Sequence, residues 1–375
     1  MGAASVDVAR LHTVTPDALP AARVRAGRLL LGAATAVLLV TLALQVAQAA
    51  GAADLGLRTW RPMLYAYLLW GICLSIAQVL IRGEIGKRTL FLLPAVLFTV
   101  AMVVFPLLFG LVIAFSDWNL SGATGRRFNG IDNLRRMWSD PFYWNALRNM
   151  VFYVLAIVVE YAIAFGLALL LAADIRARKF WRVVFLMPLM LSPVAVSWMV
   201  GKSMLEIRFG PLASFARWLG WNAPSFFGSP EIARLTIMVM DAWTFIPFMM
   251  IMLLAGLQSL DREVLEAARV DGASRWQSFW QVIFPLMLPV SVTVVVIRII
   301  FKLKLADIII NVTAGGPGGA TDSVTSFIFR EYRDRSNVGY GTLLAMVYLV
   351  LIVIAVTALL ALFNRLLRRS HGISQ

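Results

Sequence analysis

Leu260-Asp-Arg-Glu-Val-Leu-Glu-Ala-Ala-Arg-Val-Asp-Gly-Ala-Ser-Arg-Trp-Gln-Ser-Phe-Trp-Gln-Val-Ile-Phe-Pro-Leu-Met-Leu-Pro289 interrupts an otherwise apolar part of the chain with a helix, a break and a second helix. Residues Glu263 to Val270 are mostly good helix formers, Asp261 stands at the N-cap position, and Gly272 suits the left-handed backbone that ends a helix. Ser274, with Gln277 three positions on, has the capping-box spacing that starts the next helix. Ala267 and Ala268 are small enough to admit a close neighbour, and Glu266, Arg269 and Asp271 place charges beside them. Two readings fit these residues equally: a docking knob for a partner, or an interfacial helix that merely turns the chain.

Outward from this loop the sequence belongs to a membrane. The chain has 375 residues, 60% of them hydrophobic and 14% charged, and a mean hydropathy of +0.80. Apolar runs long enough to cross a hydrocarbon core of roughly 30 Å recur at approximately 28–50, 60–81, 90–115, 149–173, 181–200, 234–258, 284–306 and 341–365. The expected fold is all-α, a polytopic bundle of about eight transmembrane helices. Pro188 and Pro193 should kink the fifth span. Arg23, Arg25 and Arg28 precede the first span; Arg82, Lys87 and Arg88 follow the second; Arg176, Arg178, Lys179 and Arg182 follow the fourth; Arg365, Arg368 and Arg369 close the last. All fall on one side, which the positive-inside rule makes cytoplasmic, so both termini and the loop 259–283 are expected there.

Several function classes drop out. The net charge of +14 sits mainly in short segments between apolar runs, where it serves orientation and not nucleic-acid binding. Cys73 is the sole cysteine, so no intramolecular disulfide or cysteine-based metal cluster can form. The first apolar run follows about 27 mostly polar residues and reads as a retained span, despite the cleavage-like Ala47-Gln-Ala-Ala50. Gly315-Gly-Pro-Gly-Gly319 lacks the Lys-Ser/Thr ending of a phosphate-binding loop, and no other segment supplies one, so any ATP is hydrolysed on a different chain. His12 and His371 lie in polar tails, away from any catalytic constellation. The chain is not expected to be an enzyme.

Charged residues deep in a span cost about 2.5–3.5 kcal/mol on insertion scales, so each is a functional candidate. Glu160 lies near the middle of the fourth span, Asp241 in the sixth, and Arg298 and Lys302 one helical turn apart on the seventh. Glu160 and Arg298 could form a structural ion pair between helices. Alternatively, the two cations could face an anionic cargo as charge-assisted donors.

Glu266-Ala267-Ala268, Asp271-Gly272-Ala273, Trp276, Pro285 and Pro289 at these spacings resemble the EAA loop of ABC-importer permeases. The likeness extends from about residue 90 to the end, and Thr313-Ala-Gly-Gly-Pro-Gly-Gly-Ala-Thr-Asp322 is similar to the carbohydrate-uptake, maltose-type subgroup. It implies a permease core at 90–365 behind a cytoplasmic segment 1–27 and two accessory spans at 28–89, with a cytoplasmic tail at 366–375. The outer segment 116–148 is short where the maltose-type permease carries a large insertion. By resemblance, Glu266, Ala267, Ala268, Asp271, Gly272 and Ala273 couple to an ATPase. The helices flanking the loop would line the substrate path with Trp243, Thr244, Phe245, Phe248, Arg298, Phe301, Lys302 and Leu305, beside Glu160 and Asp241.

The function the resemblance implies is inward movement of a sugar by alternating access through the bacterial inner membrane. Arg298 and Lys302 suggest an acidic one, such as a sulfonated sugar. Expected partners are a second, non-identical permease, two ATPase subunits that bind the ATP and Mg, and an extracytoplasmic solute-binding protein. No cofactor is expected on this chain. The rival reading is an ion-coupled secondary transporter using Glu160 and Asp241 as proton-linked groups.

Overall fold

The computed structural model describes residues 20–49, 59–123 and 125–370. Segment 1–19 with His12, Ala50, and 371–375 with His371 lie outside the described residues, as do the side chains of Arg368 and Arg369. Among the described residues, seven helices are long and apolar enough to cross a membrane: Ala21–Gln48, Arg61–Arg82, Glu84–Ala114, Pro141–Ala172, Pro230–Gln258, Arg275–Val312 and Val338–Phe363. The eighth candidate is a bent pair, Arg178–Met190 and Pro193–Met204, whose limbs meet at 95°. Counting that pair, these are the first to eighth spans below, with the pair as the fifth. Pro188 opens a short 3-10 turn, and Ser192 caps the second limb by accepting from the Ala195 N–H, so the two prolines break the span outright instead of kinking it.

The chain divides into two compact units, 1–109 and 110–375. In the first, Trp70 Nε1 donates to Thr35 Oγ1 at 3.1 Å and Arg23 donates to the Val79 carbonyl at 3.2 Å, tying the first two spans together. The Tyr67 hydroxyl donates to the Leu97 carbonyl at 2.5 Å and brings in the third.

In the second unit the fourth, sixth and seventh spans pack face to face around two apolar cores. Ala164, Phe165, Leu171, Met250, Leu253 and Met287 form the core nearer the loop 259–274. Tyr143, Tyr153, Met240, Ile308, Phe327 and Tyr340 belong to the core at the opposite, far end. The connections gather at the far end. Ser116–Asp117 pairs antiparallel with Arg127–Phe128, Asn119 bridges to Asn337, and Asn133 Nδ2 donates to the carbonyls of Ala114 (2.9 Å) and Ser116 (3.0 Å).

Candidate functional site

The loop of interest folds as a helix over Arg262–Val270, followed by a helical start at Arg275. Its end is a Schellman motif. Gly272, at φ +77°, donates to the Arg269 carbonyl (3.1 Å), and Ala273 donates to the Ala268 carbonyl (3.0 Å). Ser274 and Gln277 form the full capping box, with Ser274 N–H on Gln277 Oε1 at 2.9 Å and Gln277 N–H on Ser274 Oγ at 3.3 Å. Asp261 occupies the N-cap position with extended backbone, but its side chain accepts no capping hydrogen bond, which corrects the sequence expectation. Glu266, Ala267, Asp271 and Gly272 are exposed, and Ala268 and Ala273 are half-buried. Val264, Val270 and Trp276 are exposed beside them. This short helix thus presents small residues with apolar neighbours in the open.

Between the two apolar cores lies one polar layer. Arg298 Nε donates to Glu160 Oε2 at 2.8 Å, and Lys302 Nζ donates to Glu160 Oε1 at 2.7 Å. Both cations also bond Asp241 Oδ2. Arg298 and Lys302 are 0% exposed, Glu160 2% and Asp241 1%. Two cations and two carboxylates close a neutral ring across three spans. Each carboxylate is shared by both cations, so the arrangement satisfies the condition under which buried charge is tolerated.

The Glu160–Arg298 pair foreseen as the structural alternative is therefore present. The two carboxylates account for the Lys302 ammonium and for two of the Arg298 guanidinium nitrogens. The third, Arg298 Nη1, is buried without a partner, and the guanidinium lies 4.6 Å over the ring of Phe245.

The other pathway candidates divide between two faces of the sixth span. Phe245 and Phe248 meet Phe301 of the seventh span at ring separations of 5.8 and 5.4 Å. Phe301 is exposed, whereas Leu305 is buried in the far core. Thr244 is buried and its hydroxyl donates to the Met240 carbonyl at 2.9 Å. Trp243 is turned about 200° from Phe245 around the helix and lines an apolar cavity with Val239 and Met240.

Sequence reasoning missed the residues that hold the outer Gly-rich segment. Asn145 and Asn149 donate to the Gly319 carbonyl (2.7 and 3.2 Å), Asn149 also to that of Asp322 (3.0 Å), Tyr153 to that of Thr321 (2.7 Å), and Arg234 to that of Ala320 (3.2 Å). Asp322, 1% exposed, accepts from Ser326 Oγ at 3.1 Å and pairs with Arg330. The signal was available: Asn145, Asn149 and Tyr153 recur at every fourth position, marking a polar stripe on one face of an apolar helix.

Known proteins share this family and this fold. The family model described as binding-protein-dependent transport system inner membrane component matches residues 164–369. The sulfoquinovosyl glycerol transport system permease protein of Agrobacterium fabrum is 30% identical over 273 residues, 72% of this chain and 88% of that protein. The trehalose/maltose transport system permease protein of Thermococcus litoralis is 30% identical over 226 residues, 60% and 76% of the two chains. A crystal structure of a bacterial alginate ABC transporter, in complex with an alginate pentasaccharide-bound periplasmic protein, contains a chain of the same fold. Its TM-score is 0.64 at 21% identity, and the match covers 83% of this chain and 99% of that one.

Proposed function

The chain belongs to the binding-protein-dependent transport system inner membrane components, and from that premise we propose that it is the permease of an ATP-driven carbohydrate importer. The observation that carries the coupling role is the helix Arg262–Val270, exposed, capped at both sides of its break and followed by the family-matched seventh span. In this reading Glu266 pairs with a basic group on a cytoplasmic ATPase, and Ala267, Ala268 and Ala273 permit close seating. Asp271 and Gly272 shape the turn. Both termini lie in the cytoplasm with the loop, and residues 90–365 form the permease core.

ATP binding closes two partner ATPases that hold the nucleotide and Mg. Their preference for the closed state moves the loop helix, and the spans open toward a solute-binding protein. A second permease chain completes the enclosure. The substrate passes Phe245, Phe248 and Phe301, whose faces suit the apolar sides of a sugar ring.

Carbohydrate is the class supported by the relatives, whose named cargoes include sulfoquinovosyl glycerol and trehalose or maltose at equal identity. The narrower acidic-sugar reading has lost the donors that suggested it, since Glu160 and Asp241 neutralise Arg298 and Lys302. The ion-coupled alternative would require those same carboxylates to exchange protons while each is held by two cations.

The test is solute uptake into liposomes holding the complete transporter, with and without ATP, comparing Glu266→Ala with wild type. ATP-dependent uptake that the substitution abolishes, with the spans still folded, is the expected result. Uptake that follows a proton or sodium gradient without ATP would overturn the proposal.

A further inference from the structure

At the far end of the sixth span lies a cavity of about 600 Å³ that the transport reading does not use. Val200 and Met204 of the fifth span's second limb form one wall, Leu212 and Trp221 of the following connection another, and the sixth span from Ile232 to Trp243 the third. The lining is aliphatic, thioether and aromatic apart from Thr236, whose hydroxyl is engaged with the carbonyls of Ile232 (2.8 Å) and Phe226 (2.9 Å). A polyhydroxyl cargo would leave its hydroxyls unpaired on such walls, at a cost that excludes it.

The dimensions and the charge on the adjoining connection indicate a different occupant. From Ile232 to Trp243 the helix rises roughly 16 Å, which is about one leaflet's share of a hydrocarbon core roughly 30 Å thick. The connection that supplies Leu212 and Trp221 also carries Arg208 and Arg217. Arg217 donates to the Ile207 carbonyl (2.6 Å) and the Ser214 hydroxyl (2.9 Å), which fixes a guanidinium that has further N–H donors to offer. Trp218, an amphipathic ring of the kind found at headgroup level, is exposed on the same connection, with Phe209 and Phe215 exposed beside it.

We propose that this cavity holds one acyl chain of a phospholipid from the leaflet opposite the helix Arg262–Val270, with Arg208 and Arg217 beside its phosphate. The proposal is independent of the transported solute.

The experiment uses the full chain with its co-purifying subunits in nanodiscs of phosphatidylethanolamine and phosphatidylglycerol. Native mass spectrometry counts retained phospholipids in wild type and in Val239→Trp, which fills the cavity. Loss of one phospholipid per chain in the variant, with assembly unchanged, is expected; an unchanged count overturns the proposal. A phosphatidylglycerol bearing a photoactivatable group on its acyl chain keeps the test valid if the variant fails to fold. Wild-type labelling should map to 200–243, and its absence there, or a crosslink from Val239→Cys to another subunit, also overturns it.

Discussion

Glu160, Asp241, Arg298 and Lys302 are stable in the interior only as a set, because each charge taken out of water is compensated by the two of opposite sign. Asp241→Asn should leave an uncompensated buried positive charge and cost about 3–5 kcal/mol. Adding Lys302→Met restores neutrality and should recover most of that loss. Thermal unfolding of the three proteins in detergent checks this, and equal destabilisation of single and double variants would contradict it. Four charges of zero net sign in three apolar spans were visible in the sequence. Which carboxylate meets which cation was not, because that depends on the rotation of three helices about their axes. Asp322, between the seventh and eighth spans, makes a second residue-scale case. Burial raises its carboxyl from 3.8 to about 6, against the opposing pull of Arg330 and Ser326. The folded state therefore favours the neutral acid, and this contribution to stability is present below about pH 3.8 and lost as pH rises through about 6. Asp322→Asn is permanently neutral, so the difference in unfolding midpoint between wild type and variant should change across that window. A constant difference would refute the assignment.

At the scale of elements, two glycines in the left-handed region separate backbone preference from space. Gly272 has φ +77° with nothing within 4 Å of an added Cβ, so Gly272→Ala should cost only about 1–2 kcal/mol for the left-handed conformation. Gly315 has φ +86°, and its Cβ would stand 2.2 Å from Asp322 Oδ1, so Gly315→Ala should cost more and loosen the outer segment. Unfolding midpoints should rank Gly315→Ala below Gly272→Ala, and limited proteolysis should open 313–323 only in the former. Capping and punctuation were legible in sequence because they act over a few residues: the Ser274–Gln277 box and the turn at Gly272 form as their spacing implies. The 95° bend at Leu191 and Ser192 was not legible, since two prolines license a break whereas the packing of both limbs sets its angle.

For the whole molecule, the charge distribution makes a claim about sidedness that accessibility can test. In a Cys73→Ser background, Glu266→Cys should react with an impermeant maleimide only from the cytoplasmic side and Trp138→Cys only from outside. Labelling of both from one side would refute the orientation drawn from the Lys and Arg residues. The sequence by itself determined that the chain is a multi-span helical membrane protein, where its spans lie to within several residues, and where one loop ends a helix and starts the next. These follow from hydrophobic run length and local backbone chemistry, both properties of contiguous residues. Only the tertiary structure decided which carboxylate meets which cation among the mid-membrane charges. It alone bound the stripe of Asn145, Asn149 and Tyr153 to the outer segment. Each of those outcomes depends on residues from 57 to 174 positions apart meeting across helix faces, and no local pattern specifies which face a neighbouring helix will present.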